Sequence, residues 1–138
     1  HSGTDGCGAP VHAVSLLGLA RATSRIAGPA VELDAAYLAL SIRANAWAID
    51  GIGRPNTVAI ERLGVVAKGG AEGVYGVALP DGRGLAVKIE DGASRAVVPA
   101  VVAVLRTLGL DGDELAFWAT APVFGHGEVV GEVRGAAF

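Results

Sequence analysis

VVAKGGAEGVYGVALPDGRGLAVKIED, residues 65–91, contains three β-like runs at 64–68, 73–79 and 85–91. Val74, Tyr75, Val77, Leu79, Leu85, Val87 and Ile89 are mostly residue types that fit a pleated, half-buried surface. In the last run Leu85, Val87 and Ile89 point to one face, while Lys88 and Glu90 point to the other. Between the second and third runs stands Pro80-Asp81-Gly82-Arg83-Gly84. Proline presets φ, aspartate bonds nearby backbone and glycine accepts a positive φ, so this is a hairpin turn. Three consecutive antiparallel strands follow from this reading.

Lys68 ends the first run and is followed by Gly69-Gly70. One reading makes it a strand-end cation that holds its head in water and guards a sheet edge. The other looks to the two glycines, which leave bare backbone beside the ammonium where a ligand can meet main-chain N–H groups.

The 138 residues suffice for one domain with a core of its own. Hydrophobic residues make up 51% and charged residues only 18% of the chain. Its longest apolar run, 96–105, is broken by Pro99 and falls well short of the roughly 20 residues of a membrane span. So apolar a chain is expected to have part of its surface covered by another copy, as a homo-oligomer, or by a missing N-terminal half. It contains no methionine, and His1-Ser2-Gly3 reads as a tag or processing remnant, leaving 4–138 as the domain. A net charge of −3 supplies no basic patch for nucleic acid or an anionic membrane. Cys7 is the one cysteine, which suits a reducing, cytoplasmic setting.

In chain order, Pro10 suits the first position of a helix that ends at Gly28-Pro29. Leu16, Leu19, Thr23 and Ile26 form one face of it. Val14 and Leu17 lie on the side of Arg21 and Arg25, so its first half is apolar nearly all round and is expected to be buried. A second helix over 32–47 carries Leu33, Tyr37, Leu40, Ala44 and Trp47 at 4-3-4-3 spacing, a stripe expected to face the core. A polar loop, 50–57, leads into a third helix at 58–63. A fourth helix begins between Ser94 and Pro99 and ends at Gly109, with Val98, Val101, Leu105 and Leu108 as its face. Residues 111–118 form a turn or short helix, and 128–133 a strand able to extend the sheet's edge. The class is α+β, an antiparallel sheet flanked by helices.

Two polar clusters remain. Asp5-Gly6-Cys7-Gly8 makes a tight turn that would deliver Asp5 and Cys7 to the first helix's N-terminus, where anions are favoured. It equally reads as an Asp cap with a small cysteine. Cys7 has only His12 nearby, and a closed metal site needs about four ligands, so any metal role needs ligands from elsewhere. In the second cluster Arg54, Asn56 and Thr57 would bond a carboxylate or amide, unless Asn56 or Thr57 caps the following helix.

Four stretches together resemble one family. Asp5-Gly6-Cys7-Gly8-Ala9-Pro10, Gly51-x-Gly53-Arg54-x-Asn56-Thr57, Ala67-Lys68-Gly69-Gly70-Ala71-Glu72-Gly73-Val74 and Lys88-Ile89-Glu90-Asp91-Gly92 occur in the order of the bacterial L-asparaginase II family of Rhizobium type. Val129-Val130-Gly131-Glu132-Val133-Arg134 fits its C-terminal end. Lys68-Gly69-Gly70 is also similar to the K-T-G motif of serine penicillin-recognising enzymes, with glycine in place of threonine.

The resemblance implies a serine-dependent amidohydrolase acting on L-asparagine, with a fold similar to serine β-lactamases and glutaminases. Its nucleophile lies in a Ser-x-x-Lys motif of an N-terminal half. Here Ser2, Ser15, Ser24, Ser41 and Ser94 all lack a lysine three residues on. The chain is therefore expected to be a C-terminal half, inactive alone. The family pattern puts Lys68 on the active-site strand and Asp5 and Cys7 at the rim, where Cys7 would join a Cys and a Lys of the missing half around zinc. An activated serine needs oxyanion donors and a cation near the substrate carboxylate. Lys68 fits the cation or a proton relay, Gly69 and Gly70 the donors, Arg54 the α-carboxylate and Asp5 the α-ammonium, with Glu72 nearby. The alternatives are a truncated, non-catalytic binding or structural module, and a cysteine hydrolase pairing Cys7 with His12 or His126.

Overall fold

The computed structural model describes residues 1–29 and 32–136. Its centre is the expected meander: β3 (Val66–Gly69), β4 (Val74–Ala78) and β5 (Gly84–Lys88), antiparallel and adjacent in chain order. Alternation decides which face is covered. Tyr75, Val77, Leu85 and Val87 are buried on one face, whereas Val74, Gly76 and Ala86 on the other are half-buried.

The buried face packs on α4 (Pro55–Leu63) and α5 (Val97–Thr107), with Ile60, Val101, Val102 and Leu105 in the core beside Leu115. A 3₁₀ turn, Ser94–Ala96, precedes α5, and α6 (Asp113–Ala116) follows it. Pro55 opens α4, where its missing N–H is harmless, and Gly64 closes it at φ 64°, a left-handed value that glycine adopts without a Cβ clash.

The opposite face receives α1 (Leu16–Ser24) and α2 (Leu33–Ala44). Small residues allow α1 to sit close. A methyl group on Gly84 would lie 2.4 Å from the Ala20 carbonyl oxygen, and one on Gly76 would lie 3.0 Å from Thr23 Oγ1. Ala39 of α2 closes a small cluster with Ala27, Val66 and Ala78. A one-turn helix, α3 (Trp47–Asp50), connects α2 to the loop before α4.

Several expectations are corrected. Pro10 does not start a helix: Pro10–His12 is a strand, β2, paired with β1 (Ser2–Thr4). Helix α1 begins after Ser15, whose Oγ accepts the Gly18 N–H at 3.0 Å, a stronger N-cap than any residue near Pro10 provides. Its first half is not buried, for Leu16 and Leu17 are exposed. The stripe Leu33, Tyr37, Leu40 and Trp47 also faces away from the core, at 70, 63, 61 and 60% exposure. Alanines on the opposite side of α2 permit the close approach that the small-residue sheet face demands. The strand near the C-terminus, β7 (Glu128–Arg134), pairs with β6 (Thr120–Gly125) in a separate hairpin rather than with the sheet edge. His126 and Gly127 turn it with φ of 51° and 86°, the positive values of a two-residue hairpin loop.

Candidate functional site

The third strand, β3, is a sheet edge, and its last residues carry the candidate site. The Gly70 N–H donates to the Val74 carbonyl at 2.8 Å, so Gly70 and Val74 form a hydrogen-bonded pair. By alternation Lys68 pairs with Gly76, while the Gly69 N–H and C=O point out of the sheet. Bare peptide is thus presented beside a lysine, as the two glycines suggest. The Lys68 side chain leaves the strand on the α1–α2 side, sharing the parity of Val66, and its ammonium donates to the Gly69 carbonyl. Lys68 is exposed.

On the other side Gly69 lies against the Asn56 side chain of α4 and the Tyr75 ring of β4. A methyl group placed on it would sit 3.6 Å from both Asn56 side-chain polar atoms and 3.4 Å from Tyr75 Cδ2. Asn56 is 6% exposed, and its Oδ1 is buried without a hydrogen-bond partner. A buried carbonyl without a donor costs about 1–3 kcal/mol, so Asn56 holds unused bonding capacity under the strand end. Its backbone N–H donates to Asp50 Oδ2 at 3.2 Å, a carboxylate capping the start of α4. Burial first, and then the Asp50 charge, push the Tyr75 hydroxyl above the ordinary tyrosine value. Tyr75 therefore remains neutral at physiological pH.

The remaining candidates are dispersed. Arg54 occupies the N-cap position of α4, exposed and without a side-chain capping bond. Thr57 is fully buried and its hydroxyl donates to the Ala46 carbonyl at 3.1 Å, so it supports the α3–α4 junction and does not cap. Glu72 adopts a left-handed φ of 56° in the β3–β4 turn and lays its carboxylate over Gly92. The ion pairs among the described residues include none of Lys68, Arg54, Asp5 and Glu72.

Asp5 and Cys7 occupy the turn of the β1–β2 hairpin. The Gly6 N–H donates to Asp5 Oδ1 at 2.6 Å, and the Cys7 thiol approaches Asp5 Oδ2 at 3.9 Å. With α1 starting at Leu16, this turn does not lie at a helix end. His12 is engaged with the Ser2 hydroxyl at 2.9 Å, not with Cys7. For zinc, the donors at hand are one thiol and one carboxylate, and no group of three His, Cys, Asp or Glu converges among the described residues. These residues by themselves do not fit a zinc centre.

Asp50 and Tyr75 were not legible as site residues. Asp50 precedes Asn56 by six residues, a spacing without a motif, and Tyr75 reads as an ordinary strand aromatic. Among known families, residues 1–135 match the model described as L-asparaginase II. Comparison with curated proteins returned no match.

Proposed function

Since the chain belongs to the L-asparaginase II family, we propose that it provides the substrate-holding side of a site that hydrolyses L-asparagine to L-aspartate and ammonia. The observation that carries this is the β3 end: an exposed Lys68 ammonium, an outward Gly69 peptide and, beneath it, a buried Asn56 carbonyl without a donor. An amide hydrolase has to hold a carboxylate and an ammonium on the substrate and stabilise an oxyanion as the carbonyl is attacked. Lys68 would meet the carboxylate or relay a proton, and the Gly69 N–H would meet the oxyanion. Arg54, at the N-cap of α4, would grip the α-carboxylate with its two-pronged guanidinium. Asp5 would take the α-ammonium, with Gly70 and Glu72 shaping the rim.

The nucleophile comes from another polypeptide segment, since none of the five serines has a lysine three residues on. The same segment, an N-terminal half or a second subunit, would have to bring the other ligands if Cys7 is to hold zinc. The chain alone should release no ammonia from L-asparagine, but should bind L-aspartate with a millimolar dissociation constant. Lys68→Ala should weaken that binding more than tenfold. Turnover near 1 s⁻¹ by the pure chain, abolished by Lys68→Ala, would contradict an external nucleophile. Aspartate binding indifferent to both Lys68→Ala and Arg54→Ala would dispose of the site itself.

A further inference from the structure

The Asn56 carbonyl has no structural use among the described residues. The side chain is buried, its Oδ1 lacks a hydrogen-bond partner, and the start of α4 is capped through the Asn56 backbone N–H, bonded to Asp50 Oδ2 at 3.2 Å. An apolar side chain of similar size would avoid the cost of a buried carbonyl without a donor. Asp50 is in a similar position. It is half-buried and belongs to none of the ion pairs among the described residues. A lone carbonyl and an unneutralised carboxylate, joined through one backbone N–H, both call for a cationic donor.

We propose that Asn56 and Asp50 form an ammonium subsite for the α-amino group of the substrate, an inference that rests on the hydrolytic function proposed above. An ammonium carries three N–H donors. Asp5 would accept one, Asn56 Oδ1 accepts a second, and Asp50 adds the negative charge that holds the cation. The two sides of β3 divide the substrate accordingly. Lys68 leaves the strand on the α1–α2 side, so in either of its roles it keeps the anionic or reacting end there. The ammonium, repelled by Lys68, falls to the opposite side, where Gly69 meets Asn56. Gly69 has no side chain to lay over the amide, and a carbon added to it would sit 3.6 Å from both amide atoms. The broad χ2 of asparagine lets that amide turn towards a ligand at the strand end. The subsite selects amino-acid amides with a free α-amino group over analogues in which it is missing.

The test is a chemical-shift titration of the whole chain with L-aspartate and with succinate, which keeps both carboxylates and lacks the ammonium. Succinate should bind about five- to tenfold more weakly than L-aspartate. Asn56→Ala and Asp50→Asn should each lower the affinity for L-aspartate to about that of succinate, and should change the affinity for succinate by less than about twofold. Asp50→Asn retains an oxygen to accept the Asn56 N–H, so α4 stays capped and the test does not hang on the folding of Asn56→Ala. Equal binding of the two ligands by the unaltered chain, or equal weakening of both by the variants, would overturn the ammonium subsite and leave the carboxylate side of the site standing. Failure of both ligands to bind the unaltered chain would remove the hydrolytic function, and this inference with it.

Discussion

Tyr75 keeps its proton because its hydroxyl is desolvated in the core and faces the Asp50 charge. The folded protein thus holds that proton to a higher pH than the unfolded chain, whose tyrosine titrates near 10.0. Between those two values the unfolded state binds fewer protons, so stability falls as pH rises. Denaturant midpoints should decline above about pH 10, and Tyr75→Phe should flatten the decline while leaving pH 7 stability within about 1 kcal/mol. An equally steep decline in the variant would show that Tyr75 is not its source. Asn56 gives a complementary case. Asn56→Ala removes a buried carbonyl that lacks a donor, so the loss of packing is offset by relief of desolvation. Its melting temperature should shift by no more than about 4 °C, while L-aspartate binding should weaken several-fold. A large destabilisation with binding retained would make Asn56 a purely structural residue.

Glycines govern how the elements meet. The contact of α1 with β5 depends on Gly84, where a Cβ would stand 2.4 Å from the Ala20 carbonyl oxygen and 2.8 Å from the Ser24 nitrogen. Neither neighbour is a flexible side-chain end, so Gly84→Ala has to push the helix off the sheet. A destabilisation of about 3 kcal/mol or more is expected in urea melts. Gly76→Ala should cost less, because its nearest neighbour at 3.0 Å is the Thr23 side chain, which can turn away. The reverse order would mean that α1 is not seated on β5 as described. These contacts escape sequence reading: Gly84 looks like part of the Asp81-Gly82-Arg83-Gly84 turn, and nothing local shows that a helix sixty residues earlier lies on it.

Across the whole molecule the packing is uneven. Residues 1–17 are exposed throughout, and the strands Ser2–Thr4 and Pro10–His12 pair chiefly with one another, while the core lies between the central sheet and α4 and α5. Removing residues 1–12 should therefore move the melting temperature by less than about 3 °C, whereas Val77→Ala, a 1% exposed centre-strand position, should lower it by about 5 °C or more. A marked loss of stability on truncation would reveal that the hairpin supports the body. No helix among the described residues is long and apolar enough to cross a membrane.

The three-strand meander, its turn and the face of α5 were legible because they rest on local rules: period-2 alternation, Pro-Asp-Gly chemistry and helical spacing. Family membership was legible too, through short motifs in a fixed order, and the match over residues 1–135 agrees with it. Periodicity names the apolar side of an element without saying what lies against it. The stripe Leu33, Tyr37, Leu40 and Ala44 on α2 was as regular as a core stripe, yet the sheet face opposite presents Val66 and Ala78 and accepts the helix by Ala39. Pairing of β6 with β7, the turn that holds Cys7, the placement of Asn56 and Tyr75 beside Gly69 and the bond of Asp50 to the Asn56 backbone join residues that share no local signal. They were decided by tertiary structure, because side-chain size and the order of strands select among contacts that a linear pattern leaves equivalent.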